Sequence, residues 1–383
     1  MRGNPRIQLS CEEATEAGTM LLKEGVAVLL LGRNGAGKTD IAREIVKRRA
    51  IEEKGEEPID SSVERPHDGS PTYTFINISA KGKEEVMFPN FVRGDEGTVY
   101  QTIAASFLAG ADHTWGPKNL IHNTLLLDEV AKEEEHFKSI SSIINEGRLG
   151  DAWIKPDGMR IVATGNRVED NAGSVDLQSD LVSRACIIEV SNDTQSWMNF
   201  HAGELDPLIM SCARAFGDDW LFTQHAKGSE EGQPFNCARQ AKRLSDLMIA
   251  DAIDLDTNLG RGIAEGFIGI HAGAELFAMH KAMSRLGDID AMIDDPDAHA
   301  SEIEQIRNNV THNGRQTLCA MTAMLAKRVK RDPAVVNKLF PFMRLFGEEM
   351  EVTFAHMAKA VNEDITKEVA WGRHLRDCGD FHF

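Results

Sequence analysis

The chain has 383 residues, and its 60 Asp and Glu outnumber its 42 Lys and Arg, which gives a net charge of −18 at pH 7. Hydrophobic residues make up 42% and charged residues 27%, a composition that is typical of globular proteins and excludes disorder along the whole chain. Its negative charge argues against a protein whose whole surface binds nucleic acid, and its apolar runs are shorter than the ~20 residues of a membrane-spanning helix.

The first half of the chain alternates between short apolar runs and helical patterns. Apolar runs predict five strands, at Val26–Leu31, Tyr73–Ile78, Thr124–Leu127, Arg160–Thr164 and Ala185–Val190. Helical spacing predicts helices at Thr39–Lys54, Thr98–Leu108 and Glu133–Asn145. This alternation predicts an α/β fold with a mostly parallel, five-stranded sheet that is covered by helices on both faces, an αβα sandwich.

The second half of the chain has a different character. After Ser191, helical patterns rich in Ala, Met and Leu continue to the end, and an acidic break lies at Asp294–Asp297. We therefore expect three parts: an α/β domain over 1–195, an all-α domain over 196–300, and a helical C-terminal extension over 301–383.

The cysteines and the N-terminus bear on the compartment. The six cysteines are scattered without a C-x-x-C pair, which is typical of reduced thiols and does not favour a zinc site. The segment Met1–Pro5 contains no apolar signal region. We therefore expect a cytoplasmic protein.

A glycine-rich motif follows the first predicted strand. The segment Gly32–Thr39 fits G-x-x-x-x-G-K-[ST] without a mismatch, between a buried strand and a predicted helix. In such a loop, backbone N–H groups surround phosphate oxygens, Lys38 contacts the β- and γ-phosphates, and the Thr39 hydroxyl binds Mg²⁺. A glycine turn that fits by chance is the alternative, and the strand–loop–helix context disfavours it. The predicted nucleotide-binding residues are Gly32, Asn34, Gly35, Ala36, Gly37, Lys38, Thr39 and Asp40.

Two carboxylates follow the third predicted strand. Asp128 and Glu129 come directly after Leu125–Leu127, and the carboxyl ends of parallel strands face the ligand crevice. We expect Asp128 to bind Mg²⁺ and Glu129 to polarise the water that attacks the γ-phosphate. The alternative is the acidic first turn of a helix.

The fourth predicted strand also ends in a polar residue, Asn166. If this strand lies between the first and third ones, the Asn166 amide falls beside the phosphate loop and can orient the attacking water. The equally weighted alternative is an Asn that caps a turn after Gly165.

Together these residues resemble the AAA+ ATPases, and within them the MoxR-like and dynein-related branch, including forms carried by bacteriophages. The resemblance covers about residues 10–300. It rests on Gly32–Thr39, Asp128–Glu129, Ala163–Asn166, Leu181–Arg184, Ile144–Asp151, Gly158–Arg167 and Gly266–Phe277.

The resemblance implies further roles for single residues. Asn166 matches the first sensor, and Arg184 matches the arginine finger that reaches the γ-phosphate of a neighbouring subunit. Arg239 matches the second sensor of a helical lid. The family usually has proline just before this arginine, whereas Ala238 stands here, and Arg243 competes for the role.

The resemblance also implies partners. It implies ATP and Mg²⁺ as cofactors and a homo-oligomeric ring of six subunits. It implies a remodelling or activation chaperone in the cytoplasm of a bacterium or phage-infected cell. Its client would be a protein, which in this branch often carries a von Willebrand A-type domain.

Two insertions are similar to loops of this branch. The segment Arg148–Gly158 predicts a hairpin before the sensor strand, and Lys81–Gly97 predicts a loop that lines a pore or contacts the client. Packing of Phe88 and Phe91 on the domain's own core is the alternative for the second insertion.

Three other functions stay open from the sequence. A basic cluster at Ala326–Arg331 keeps open a nucleic-acid-dependent NTPase of phage replication, packaging or restriction. A scaffold that binds nucleotide without hydrolysing it is the second rival, and Glu129 argues against it. The third is a metal-chelatase subunit, which is a narrower form of the remodelling ATPase that the resemblance implies. Nothing in the sequence selects ATP over GTP.

Overall fold

The computed structural model describes residues 7–61, 70–80, 87–94, 97–104, 123–131, 137–149, 153–155, 157–167, 183–201, 203–223, 233–283, 289–308, 312–330 and 332–377. Its contacts divide the chain into two compact units, Met1–Asn192 and Asp193–Phe383, which we call the N-terminal and C-terminal units. Asn192 lies close to residue 195, where the change in sequence character places the first boundary.

A parallel sheet forms the centre of the N-terminal unit. The described strands are β1 (Gln8–Leu9), β2 (Ala27–Leu31), β3 (Ile59–Asp60), β4 (Thr72–Asn77), β5 (Met87–Gly94), β6 (Gly97–Ala104), β7 (Asn123–Asp128), β8 (Arg148–Leu149), β9 (Trp153–Ile154), β10 (Arg160–Gly165) and β11 (Ala185–Val190). Seven of them form one sheet in the order β1-β11-β2-β10-β7-β4-β3, and every neighbouring pair is parallel.

The five predicted strands occupy the interior of this sheet, so the predicted fold class is confirmed. The two additional strands, β1 and β3, lie at its edges and have two residues each. A two-residue strand has no periodicity to detect, which explains why the sequence did not indicate them.

The central strands are apolar because both faces of the sheet are covered. Leu29, Leu30 and the run Leu125–Leu127 are fully buried, as expected for parallel strands between two helical layers. The described helices of this unit are α1 (Cys11–Lys23), α2 (Lys38–Lys54) and α3 (Phe137–Glu146). Ser10 and Glu13 form a capping box that fixes the start of α1.

Two antiparallel hairpins extend the unit. Strands β8 and β9 pair within the predicted insertion Arg148–Gly158, which confirms a hairpin there. Strands β5 and β6 pair over their full length, so the helix predicted at Thr98–Leu108 is wrong over its described part, 98–104. This segment is rich in β-branched and aromatic residues, and pairing with β5 favours the strand.

The C-terminal unit is helical throughout its described residues. Its helices are α4 (Thr194–Phe200), α5 (Pro207–Phe216), α6 (Asp218–Leu221), α7 (Ala238–Ile249), α8 (Asn258–Met283), α9 (Ile289–Asp294), α10 (Ala300–Asn308), α11 (His312–Arg328), α12 (Val336–Arg344), α13 (Glu348–Val361) and α14 (Val369–Asp377). One apolar core runs from Trp197 to Trp371. The further boundary at residue 300 stays a prediction, and residues on both sides of it contribute to this core. In the described part of the chain, no helix is long and apolar enough to cross a membrane.

Helix α8 is interrupted by a glycine that the fold requires. Gly269 has φ 78° and ψ 164°, in a region that L-residues rarely adopt. A Cβ at this position would lie 2.4 Å from the Pro234 carbonyl oxygen. The kink in α8 therefore depends on both the conformation and the small size of Gly269.

We expect Gly269→Ala to destabilise the protein by about 2–4 kcal/mol, because it combines backbone strain with a clash against main chain. Gly262→Ala in the same helix is the control: an added Cβ meets nothing within 4 Å, so we expect a gain of about 0.5–1 kcal/mol from helix propensity. Urea unfolding of both variants measures the difference. Equal stabilities would contradict the role of the kink.

Candidate functional site

The glycine-rich loop connects β2 to α2 as the sequence predicts. Gly35 and Gly37 have φ of 75° and 84°, so glycine allows the backbone to turn back on itself at both positions. A Cβ on Gly32 would lie 3.3 Å from the Val190 carbonyl oxygen, which leaves little room for a larger residue. Of the other predicted residues, Ala36 is buried and Asp40 is exposed on the first turn of α2.

The Lys38 ammonium group lies inside this loop. The residue is 8% exposed, and its Nζ donates to the carbonyl oxygens of Gly32 (2.9 Å) and Arg33 (2.7 Å). It also donates to Asn166 Oδ1 at 2.9 Å. Lys38 thus presents a nearly buried positive charge to oxygen atoms at the carboxyl edge of the sheet, where phosphate oxygens would take their place.

Strand order brings Asn166 to this position. Strand β10 lies between β2 and β7 and pairs with both in parallel. The condition that the sequence set for Asn166 is therefore met, and its amide contacts the phosphate loop directly.

The Asp128 carboxylate lies at the same carboxyl ends of the strands and accepts hydrogen bonds from two hydroxyl groups. Thr39 Oγ1 donates to Asp128 Oδ1 at 3.1 Å, and Thr164 Oγ1 donates to the same oxygen. Asp128 and Thr39 are the predicted metal-binding pair, and hard oxygen ligands of this kind suit Mg²⁺, which usually binds through few protein groups plus phosphates and water. The described residues contain no cluster of three or more His, Cys, Asp or Glu that could bind a metal ion.

Glu129 adopts an unusual backbone conformation, with φ 59°. Its N–H donates to Thr164 Oγ1 at 3.4 Å, and its Oε2 accepts a hydrogen bond from Ser79 Oγ. Left-handed backbone at a non-glycine residue is uncommon and concentrates at functional sites. Glu129 therefore leaves the strand at a sharp turn, with its carboxylate directed to the end of β4.

Sequence reasoning missed Asn77, Ser79 and Thr164. Asn77 pairs with Asp128 in the sheet register, and its Oδ1 lies 2.9 Å from Ser79 Oγ and 3.2 Å from the Ala80 nitrogen. The available signal was that β4 also ends in polar residues at the carboxyl edge.

For the nucleotide hydrolysis that the sequence predicts, we expect Ser79→Ala to raise the basal rate by about tenfold, because losing one charge-assisted hydrogen bond of about 1.5 kcal/mol frees the Glu129 carboxylate for water. Steady-state phosphate release from ATP measures this rate. Ser79→Thr keeps the hydroxyl and should behave like wild type. A rate that falls in Ser79→Ala would mean that Ser79 positions Glu129 productively.

Arg184 lies far from its own phosphate loop. It is exposed and directly precedes β11, where Ala185 pairs with Ala27 at the start of β2. The loop follows the other end of β2, about 17 Å away for five residues at ~3.3 Å each. Arg184 is therefore not brought together with Lys38.

Arg239 and Arg243 belong to the C-terminal unit. Both are exposed on α7, four residues apart and so on one face of the helix. Either side chain is accessible for a ligand, and the geometry within this unit does not separate the two candidates.

No known protein family matches the chain, and no curated protein matches it. Among solved structures, NtrX from Brucella abortus in complex with ADP is similar at a TM-score of 0.37 and 15% identity, over 90% of this chain and 70% of that one. The Aeropyrum pernix ORC2 protein (ADPNP-ADP complexes) is similar at 0.38 and 12%, over 96% and 97%. A full-length MCM homolog from Methanopyrus kandleri is similar at 0.28 and 15%, over 69% and 53%. With TM-scores below 0.5, none of these similarities defines a family or an activity for this chain.

Proposed function

We propose that this chain is an AAA+ ATPase that hydrolyses ATP at the carboxyl edge of its parallel sheet. One observation carries the proposal: Lys38 in the phosphate loop donates to Asn166, and Thr39 of the same loop donates to Asp128. Three separate segments thus bring a cation, an amide and a carboxylate to one point. This set of groups suits a nucleoside triphosphate with its metal ion.

Each residue has a distinct part in the proposed reaction. The loop N–H groups and Lys38 bind the β- and γ-phosphates, and Asn166 orients the attacking water. Glu129 accepts the proton of that water once its carboxylate leaves Ser79. Thr39 and Asp128 would hold Mg²⁺, which would neutralise part of the phosphate charge.

A neighbouring subunit would complete the site. Arg184 lies at the amino ends of the parallel strands, whereas its own loop lies at their carboxyl ends. This position suits an arginine finger that acts on the nucleotide of the next copy. Arginine supplied in trans stabilises transition-state charge and links hydrolysis to assembly. We propose a homo-oligomeric ring, with Arg239 or Arg243 as a second sensor.

Three further proposals rest on the resemblance. They are the MoxR-like assignment, the hexamer, and a protein client in the cytoplasm, including one with a von Willebrand A-type domain. The nucleic-acid alternative depends on the basic cluster at Ala326–Arg331, and contacts within the fold weaken that support. Arg328 forms an ion pair with Asp290, and Lys330 donates to the Gly203 carbonyl oxygen at 2.8 Å. Two of its cations are thus used within the fold.

The test is the hydrolysis rate per subunit against protein concentration, with native mass measured in parallel. We expect Mg²⁺-dependent hydrolysis that rises as the chain assembles. GTP in place of ATP settles the base preference, and stimulation by DNA with steep salt dependence would favour the nucleic-acid rival. No hydrolysis in any assembly state would end the proposal.

A further inference from the structure

A second cleft lies in the C-terminal unit, where α4, α5 and α13 meet. Its empty volume is about 350 Å³ with its open mouth included, and its lining includes Met198, Met210, Met357, Asn199, Arg214 and His356. The three methionines are buried and form an apolar floor that can adapt to a ligand. The cleft is small, so it suits a single chemical group rather than a nucleotide.

A guanidinium group lines this cleft. Arg214 Nη2 donates to Thr353 Oγ1 at 3.4 Å, a weak hydrogen bond at the limit of the normal range. Burial lowers the pKa of Arg214. Among the residues that the structure describes, no carboxylate forms an ion pair with it.

A partly buried charge without a counter-charge is costly. Arg214 would satisfy its remaining N–H donors, which form a planar fork matched to a carboxylate, by binding an anion in the cleft.

A second basic group lies on the wall. Burial, and then the charges of Arg214, His374 and Lys359, lower the pKa of His356. An anion bound between Arg214 and His356 would favour protonated His356. Asn199 Oδ1 accepts from Gln195 Nε2 at 2.8 Å, which leaves the Asn199 NH₂ group as a further donor.

We propose that this cleft binds a carboxylate on a short apolar stem, with the carboxylate on Arg214 and His356 and the stem on the methionine floor. A free small organic acid and the acidic side chain of a partner protein share this chemistry. The apolar floor favours either of them over inorganic phosphate.

The test titrates the full chain with butyrate, with N-acetyl-glutamate N-methylamide and with inorganic phosphate. The readouts are the His356 ring resonances and calorimetric heats. We expect both carboxylates to bind better than phosphate and to raise the pKa of His356. Tighter binding of the glutamate derivative would indicate a protein side chain, and tighter binding of butyrate a free acid.

Variants separate this site from general charge effects. We expect Arg214→Gln to weaken carboxylate binding at least about tenfold, since charge-assisted hydrogen bonds are lost. Arg373→Gln removes an exposed charge from the same unit and should change nothing. Should Arg214→Gln fail to fold, the wild-type His356 resonances still decide. Unmoved His356 resonances, binding unchanged in Arg214→Gln, or phosphate binding as well as butyrate would overturn the proposal.

Discussion

Glu129→Gln is expected to lower ATP hydrolysis at least about 100-fold, because a general base typically contributes 10²–10⁴ in rate and an amide cannot accept the proton of water. We expect the substitution to affect only this proton transfer. Glu129 bonds to Ser79 and Thr164, whereas the predicted phosphate and metal contacts belong to Lys38, Thr39 and Asp128. ATP affinity should therefore stay within about twofold of wild type.

Phosphate release and equilibrium binding of a fluorescent ATP analogue measure the two effects separately. Glu16→Gln on the exposed face of α1 is the matched control and should leave both unchanged. Wild-type function with Glu129→Gln would revive the scaffold that binds ATP without hydrolysing it. Loss of binding together with hydrolysis would mean that Glu129 holds the loop in shape.

Arg184→Ala is expected to reduce hydrolysis by the assembled protein roughly 1000-fold, the lower range for an arginine finger. The residue is exposed and lies at the amino ends of the parallel strands, whereas its own loop lies at their carboxyl ends. The effect should therefore appear only where subunits meet, and the residual rate should no longer depend on protein concentration.

The measurement is the rate per subunit across concentrations, with native mass showing that assembly persists. Arg307→Ala, an exposed arginine of the C-terminal unit, is the control for loss of surface charge. A variant that assembles and hydrolyses like wild type would exclude Arg184 as the finger.

The central part of the fold was predictable because each central strand carries its own signal. Continuous apolar runs at β2, β7 and β10 identify buried parallel strands. Parallel strands align their carboxyl ends, so Lys38, Asp128 and Asn166 were expected at one edge before any distance was known. The strand order that places β10 beside β2 could only be stated as a condition.

The rest depended on contacts between distant segments. Ser79 lies fifty residues before Glu129, and a serine after a strand carries no sign of its partner. Thr164 has the β-propensity of any strand residue and gave no hint of its bond to Asp128. At 98–104, the pairing with β5 overrode the helical spacing that predicted a helix.

In the proposed mechanism, one subunit binds the nucleotide and hydrolyses it with help from the next. Mixing Glu129→Gln with Arg184→Ala, followed by the hydrolysis rate at fixed total protein, tests it most directly. The first variant keeps Arg184 and the second keeps Glu129, so mixed assemblies contain complete sites and activity should return well above the sum of the two variants alone. A rate equal to that sum, with native mass confirming mixed assemblies, would contradict a shared site.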